Sequence, residues 1–447
     1  VAIRRLLRVV HNPAQLVLAA FVTVILIGTA LLRLPFAVDG DVAHPGLLDS
    51  LFWSTSAVTV TGLGTIDVST FSLFGELVLL VLIQVGGFGI MTIGSVLAIV
   101  ASRRIGLRQR MLAQAEIGAV DIGELRSLIS AIVKITLLVE SSIASILFLH
   151  LATTGDTGIG RAAYSAVFHG ISAFNNAGIS LYSDSLTRFV GDPLVVVPVT
   201  FAFVVGGLGF PVLVELRRRV SPRKWRLHTR LTLAATGVLL VVGPLSVLVI
   251  EWTNPGTLGP MGVWDKIQAA WFQGVTPRTA GFSTVDIGAQ REPTLNIMTA
   301  LMFIGAGPAS TSGGIKVTTF AVLGLAVWSE VRGDTDINVF NRRLPPGLVR
   351  QAMTIAFLSI GAVFATAVAL TAMSPFHLTD TLFEAASAFG TVGLSTGITG
   401  ELPIAGHILL VLMMLAGRVG PVTFVTALAL RQGGRAYRVP EERPIIG

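Results

Sequence analysis

Residues 383–397 read FEAASAFGTVGLSTG, and the reading of this stretch decides the fold. Its first half carries helix-forming residues. Its second half is Gly, Thr and Ser, which is turn chemistry. The helix it closes, 378–389, measures roughly 18 Å, whereas a bilayer's hydrocarbon core is about 30 Å thick. Apolar runs long enough to cross that core flank it, near 349–373 and 403–430. The chain must therefore enter, turn at the glycine and return to the side it came from.

The arrangement recurs. TVTGLG (59–64), NNAGIS (175–180), RTAGFS (278–283) and TVGLS (391–395) each place one glycine before an apolar residue, at Gly62, Gly178, Gly281 and Gly393. A short helical stretch precedes each turn, at 47–58, 162–174, 264–275 and 378–389. A second marker follows: GGFGIM from Gly86, GGLGFP from Gly206, GAGPAS from Gly305 and GRVGPV from Gly417. It lies 24, 28, 24 and 24 residues after the turn glycine. Scattered helix-packing glycines would not repeat in phase. The spacing predicts four units of span, re-entrant helix, glycine turn and span, at 9–101, 102–216, 217–328 and 329–431, with a cytoplasmic tail at 432–447. The eight spans lie near 14–34, 71–101, 127–152, 189–216, 231–252, 294–328, 349–373 and 403–430.

Composition agrees with an all-α polytopic membrane protein. Of 447 residues, 52% are hydrophobic and 13% charged, and mean hydropathy is +0.77. Soluble domains carry roughly 25% charge, so a single large soluble core is excluded. The run at 14–34, after Arg4, Arg5 and Arg8, is too long for a signal-peptide core and lacks a small-residue cleavage site, so it reads as the first span. Because the chain opens on Val, a short N-terminal piece is expected to precede it. With linkers assigned alternately to two sides, one side holds 23 Lys and Arg, the other holds 6, and Lys134, Lys316 and Arg418 lie within spans. The positive-inside rule places the first side, with both termini, in the cytoplasm. The net charge of +7 is thus topological and does not point to nucleic acid. RRRVSPRKWRLHTR (217–230) is the strongest anchor, and is compatible with docking a cytosolic partner. With no cysteine there are no disulfides and no thiolate chemistry.

Irregular backbone at membrane depth needs burial in protein or contact with water. Four turns satisfy this by meeting around one axis with their carbonyls aimed at it. Such a ring replaces the hydration shell of a monovalent cation, and the negative C-terminal ends of the short helices favour the same charge. Enzyme signatures are missing. The seven histidines form neither HExxH nor an i, i+4 pair, and there is no GxSxG and no Walker loop. Nucleotide control would have to come from a partner. The other alternative is a gradient-coupled symporter (K⁺/Na⁺ or K⁺/H⁺), commonly built on inverted repeats. Repeats of one topology, each with a re-entrant helix, favour a fixed pore with a gate.

Four such units, one glycine per turn, and GAGPASTSGGIK (305–316) in the third unit resemble the Ktr/Trk/HKT superfamily of potassium transporters over nearly the whole chain. The likeness is strongest to the membrane subunit of the two-part bacterial Ktr systems. It implies a homodimer in the cell membrane with a separate pore in each protomer, conducting K⁺ and often stimulated by Na⁺. It implies gating by a cytosolic, KtrA-like ring subunit that binds ATP, ADP or a similar nucleotide, with no cofactor held by this chain. Carried over by position, Gly62, Gly178, Gly281 and Gly393 are the filter glycines. Thr61, Ala177, Ala280 and Val392 supply the adjacent carbonyls for K⁺. Glycine is expected there because it alone reaches positive φ cheaply. The short, unequal strands predict weaker K⁺/Na⁺ discrimination than the loop TVGYG gives tetrameric channels.

The resemblance places a gate in GAGPASTSGGIKVTT (305–319), with Gly305, Gly307, Pro308, Ser310, Thr311, Ser312, Gly313, Gly314 and Lys316. Pro308, Gly305, Gly307, Gly313 and Gly314 cannot sustain a regular helix. It also places an arginine where Arg418 stands, just below the filter. Arg418 is read as an electrostatic barrier, or else as a structural residue paired with an acid or with loop carbonyls. Lys316 is read as donating to loop carbonyls, and Glu384 and Arg278 as bracing the filter by hydrogen bonds. Lys134 and Glu140, six apart in one span, do not face each other.

Overall fold

The computed structural model describes residues 13–39, 44–104, 122–154, 158–217, 221–334 and 336–420. The expected tail, the end of the last expected span and most of the linker between the first two expected repeats lie outside the described residues. Leu-, Val-, Ile- and Ala-rich runs form the long helices α1 (Pro13–Leu32), α3 (Leu73–Arg104), α4 (Ile122–Thr154), α8 (Leu227–Glu251) and α12 (Pro346–Met373). By length and composition, Ser130–Thr154, Leu227–Glu251 and Pro346–Met373 are able to cross a bilayer. Shorter apolar helices cover Val17–Leu32, Leu73–Gly89 and Ile404–Val419. Their outer faces are apolar: Leu138, Val249 and Phe357 are 66%, 76% and 79% exposed. Water would not tolerate such faces in continuous bands, but lipid tails solvate them.

Four short helices lie over the expected re-entrant segments: α2 (Leu47–Thr59), α5 (Ile159–Phe174), α9 (Val263–Val275) and α13 (Leu378–Gly390). Asp49, Asp265 and Asp380 sit in the first turns of α2, α9 and α13. There a carboxylate complements the positive helix end. In α2, Asp49 also accepts the Gly46 N–H (3.1 Å). Every residue from Phe52 to Thr59, and from Phe383 to Gly390, is buried. The core falls into two main clusters. One joins α2 and α3 to α13 through Phe52, Leu79, Phe383 and Phe389. The other joins α5 to α9 through Phe174, Phe203, Phe210 and Phe272.

Two expected spans are broken. The span 189–216 is α6 (Pro193–Leu208) and α7 (Phe210–Arg217), bent by 101°. Gly209 between them has φ +90°, and Pro211 follows. A side chain at Gly209 would strike the Pro308 carbonyl, so the bend makes room for the loop of the third segment. The span 294–328 is α10 (Glu292–Phe303), an irregular loop, and α11 (Val317–Arg332). A parallel bridge between Ile304 and Ile315 closes that loop. Val317, Thr318 and Thr319, expected in the loop, belong to the helix. The expected linker before α12 holds a small hairpin of β1 (Asn338–Val339) and β2 (Arg342–Arg343), which an all-α reading omits. Phe340 and Asn341 at its tip both take positive φ (47° and 61°), the conformation of a type I′ turn. The last helix, α14, runs Ile404–Val419.

Candidate functional site

The four turn glycines all take positive φ: +94° at Gly62, +65° at Gly178, +77° at Gly281 and +93° at Gly393. They meet. A methyl group added to Gly62 would collide with the Ala177 carbonyl, and one on Gly178 would lie 2.8 Å from the Ala280 carbonyl oxygen. One on Gly281 would collide with the Val392 carbonyl, and one on Gly393 with the Thr61 carbonyl. Each glycine thus abuts the residue before the next turn's glycine, in the cyclic order first, second, third, fourth, first. The eight residues singled out from sequence form one closed ring of backbone. Leu63, Ile179, Ser283 and Leu394 line a cavity of about 300 Å³, onto which all four glycines open, with Asp67 and Tyr182 in its wall.

The backbone two residues before each glycine is left-handed at Val60, Asn176, Thr279 and Thr391 (φ 56°, 60°, 68° and 50°). For β-branched residues this conformation is an outlier. It turns the chain out of the helix, and only Asn176 carried a hint of it in its residue type.

The second marker has a packing cause. Methyl groups on Gly86, Gly206 and Gly417 would collide with the carbonyls of Val58, Phe174 and Phe389. Each of those residues lies four before its turn glycine. The helix after each of these turns therefore crosses the end of the short helix at backbone contact, and the glycine marks the crossing whether it lies 24 or 28 residues after the turn. Gly305 serves differently, against the Gly313 (2.6 Å) and Ile315 (2.9 Å) carbonyls inside the loop. Gly417→Ala is expected to lower stability by about 1–3 kcal/mol, the usual cost of overpacking. Thermal unfolding in detergent reads this, and an unchanged midpoint would remove the packing explanation.

The loop residues contact the turns at positions ahead of the glycines, and none of them lines the cavity. Gly307 and Thr311 donate backbone N–H to the Gly207 (2.8 Å) and Gly206 (3.4 Å) carbonyls, and Gly314 donates to the Gly417 carbonyl (3.1 Å). The Gly313 N–H donates to Thr391 Oγ1 (3.0 Å) and Thr311 Oγ1 donates to Asn176 Oδ1 (2.9 Å). The loop thus grips the left-handed residues of the second and fourth turns. Gly305, Gly307, Ser310, Thr311, Ser312, Gly313 and Gly314 are buried, and Pro308 is half-buried.

Arg418 is 3% exposed. It donates to the Thr311 carbonyl of the loop and, at 2.7 Å, to the Gly86 carbonyl of α3. No carboxylate lies within ion-pairing distance of it among the described residues. Lys316 Nζ donates to the carbonyls of Ser312 (2.6 Å) and Gly313 (3.3 Å). Glu384 accepts from Thr399 Oγ1, behind the fourth turn. Arg278 donates to Thr236 Oγ1 on α8 (3.3 Å), a partner outside the turns. Lys134 is exposed while Glu140 is buried. Glu140 accepts from Asn175 Nδ2 at 3.0 Å, next to the second turn, a link no sequence pattern announced.

A family model described as TrkH, cation transport protein, matches residues 5–435. The Ktr system potassium uptake protein B of Bacillus subtilis (strain 168) is 40% identical, over 94% of this chain and 93% of its own. The protein of the same description from Vibrio alginolyticus is 38% identical, over 97% and 94%. Among solved structures, the potassium transporter TrkH from Vibrio parahaemolyticus superimposes with a TM-score of 0.71 at 20% identity, over 92% of this chain and 85% of its own.

Proposed function

The chain belongs to the TrkH family of cation transport proteins, and on that premise we propose that it takes up K⁺ across the cell membrane through a channel-like pore. One observation carries this reading: four glycine turns from distant parts of the sequence close into a ring of backbone, each turn wedged against the next. K⁺ is held there by the carbonyls of Thr61, Ala177, Ala280 and Val392 and of the glycines after them, which stand in for water. The relatives named for potassium uptake support K⁺ as the ion. In this reading the short helices are four pore helices between eight spans, both termini are cytoplasmic, and the loop at 304–316 with Arg418 is the gate beneath the filter. The protein works as a homodimer under a cytosolic ring subunit that senses a nucleotide.

Expression in a host lacking its own K⁺ uptake systems tests the proposal. Growth at limiting K⁺ is expected to return when a ring subunit of the Ktr type is supplied, and to be weaker without it. Failure to restore growth, with both proteins shown to be in place, would remove K⁺ uptake as the function. Single-channel currents in bilayers are expected, and uptake that instead tracks an imposed proton gradient would point to coupled transport.

A further inference from the structure

The four short helices end in four residues with a shared and unassigned task. The N–H of the residue before each turn glycine donates to a backbone carbonyl one turn back. Thr61 donates to Ser56 (2.8 Å), Ala177 to Ser172 (2.8 Å), Ala280 to Thr276 (2.9 Å) and Val392 to Ser387 (2.9 Å). All four acceptors carry a hydroxyl, and all four are fully buried. Each hydroxyl then makes a second bond to the same turn. Ser56 Oγ accepts the Gly62 N–H (3.0 Å), and Ser387 Oγ accepts the Gly393 N–H (3.2 Å). Ser172 Oγ donates to the Ile179 carbonyl (2.7 Å), and Thr276 Oγ1 donates to the Phe282 carbonyl (2.6 Å), each just after its glycine.

Chance does not account for the pattern, because the register moves and the hydroxyl moves with it. In three turns the hydroxyl residue stands six positions before the glycine. In the third it stands five before, at Thr276 ahead of Gly281, while position 275 is Val. A buried hydroxyl elsewhere on these helices behaves otherwise: Thr55 Oγ1 donates to Leu51, inside its own helix.

We infer that Ser56, Ser172, Thr276 and Ser387 are positioning residues that set the preference of the ring between K⁺ and Na⁺. The inference rests on the filter reading given above. Each residue clamps its turn at two points, one ahead of the glycine carbonyl and one at or just beyond the glycine, so the carbonyls cannot close on a smaller ion. The clamp has two forms. In the first and fourth turns it holds the glycine N–H, and in the second and third it ties back the carbonyl after the glycine. The ring is therefore fourfold in its glycines but twofold in what holds them.

The test is the ratio of Na⁺ to K⁺ uptake at equal protein abundance in the membrane, for Ser56→Ala, Ser172→Ala, Thr276→Val and Ser387→Ala. Thr276→Ser, which keeps a hydroxyl, and Thr55→Val serve as controls. Each of the four is expected to raise the ratio about three- to tenfold, the effect of one buried hydrogen bond on an equilibrium, while both controls keep the parent ratio. An unchanged ratio in the four variants overturns the inference. Where an alanine or valine variant fails to accumulate, the cysteine variant is read in its place. If that is lost too, the residue serves assembly and the inference falls. Gly62→Ser is measured alongside. If it shifts the ratio and the hydroxyl variants do not, only this inference fails; if it does not, the filter reading itself fails.

Discussion

Serine at Gly62 or at Gly393 is expected to abolish the preference for K⁺ over Na⁺ and to lower K⁺ uptake by at least about tenfold. Two costs combine. At φ +94° and +93° a β-carbon is strained by roughly 1–2 kcal/mol. In addition it would strike a carbonyl oxygen, that of Ala177 from Gly62 and that of Thr61 from Gly393. Those oxygens belong to the proposed ion ligands, so relief of the clash must move them. A displacement worth about 1.4 kcal/mol changes a rate tenfold. Gly397 separates strain from clash. It has φ +100° but no atom within 4 Å of an added methyl group. Gly397→Ala is expected to bring the strain alone and to leave the ion preference intact. Isotope uptake of K⁺ and Na⁺ reads all three variants. Parent-like uptake and preference in both serine variants would show that these glycines do not form the filter.

The sequence made this ring legible because its signal is one of spacing. A glycine is required wherever two backbones touch, and here the contacts recur with the repeat: turn against turn at Gly62, Gly178, Gly281 and Gly393, and helix against helix end at Gly86, Gly206 and Gly417. Contacts between backbones therefore left a periodic trace. What depends on a single tertiary neighbour left none. The bend at Gly209 exists because the Pro308 carbonyl needs the space, and Pro308 is about a hundred residues away. Val60 and Thr391 are left-handed against their own preference, held by N–H bonds back to their helices. Arg278 stands beside a turn yet bonds to Thr236 on another helix. The hydroxyls at Ser56, Ser172 and Ser387 were in phase and readable in principle. The shift at Thr276 hides the fourth, and the two bonds that define the motif exist only in three dimensions.

Arg418→Ala is expected to raise K⁺ flux about tenfold or more and to weaken its dependence on the proposed cytosolic partner. The guanidinium joins two elements, through the Thr311 carbonyl at the middle of the loop and the Gly86 carbonyl of α3. Hydrogen bonds from a charged donor contribute roughly 1.5–3 kcal/mol each, so losing both frees the loop by more than a factor of ten in population. The substitution also removes a fixed positive charge beside the proposed ion path. At an effective dielectric of about 20, a unit charge ~8 Å away raises the energy of a cation by ~2 kcal/mol. Both effects increase flux, and Arg418→Lys separates them. Lysine keeps the charge, but its compact ammonium does not reproduce the planar fork that reaches two carbonyls. If the charge is the barrier, the lysine variant stays closed; if the bridge is, it leaks like alanine. Deletion of Ala306–Gly313 removes Thr311 together with the loop, so it is expected to leak at least as much as Arg418→Ala. If the bridge is the barrier, adding Arg418→Ala to the deletion is then expected to change little, since both act through one contact; if the charge is, the double variant is expected to leak more than the deletion alone. Parent-like flux in Arg418→Ala at normal membrane abundance, still fully dependent on the partner, would leave Arg418 as a packing residue and place the gate elsewhere.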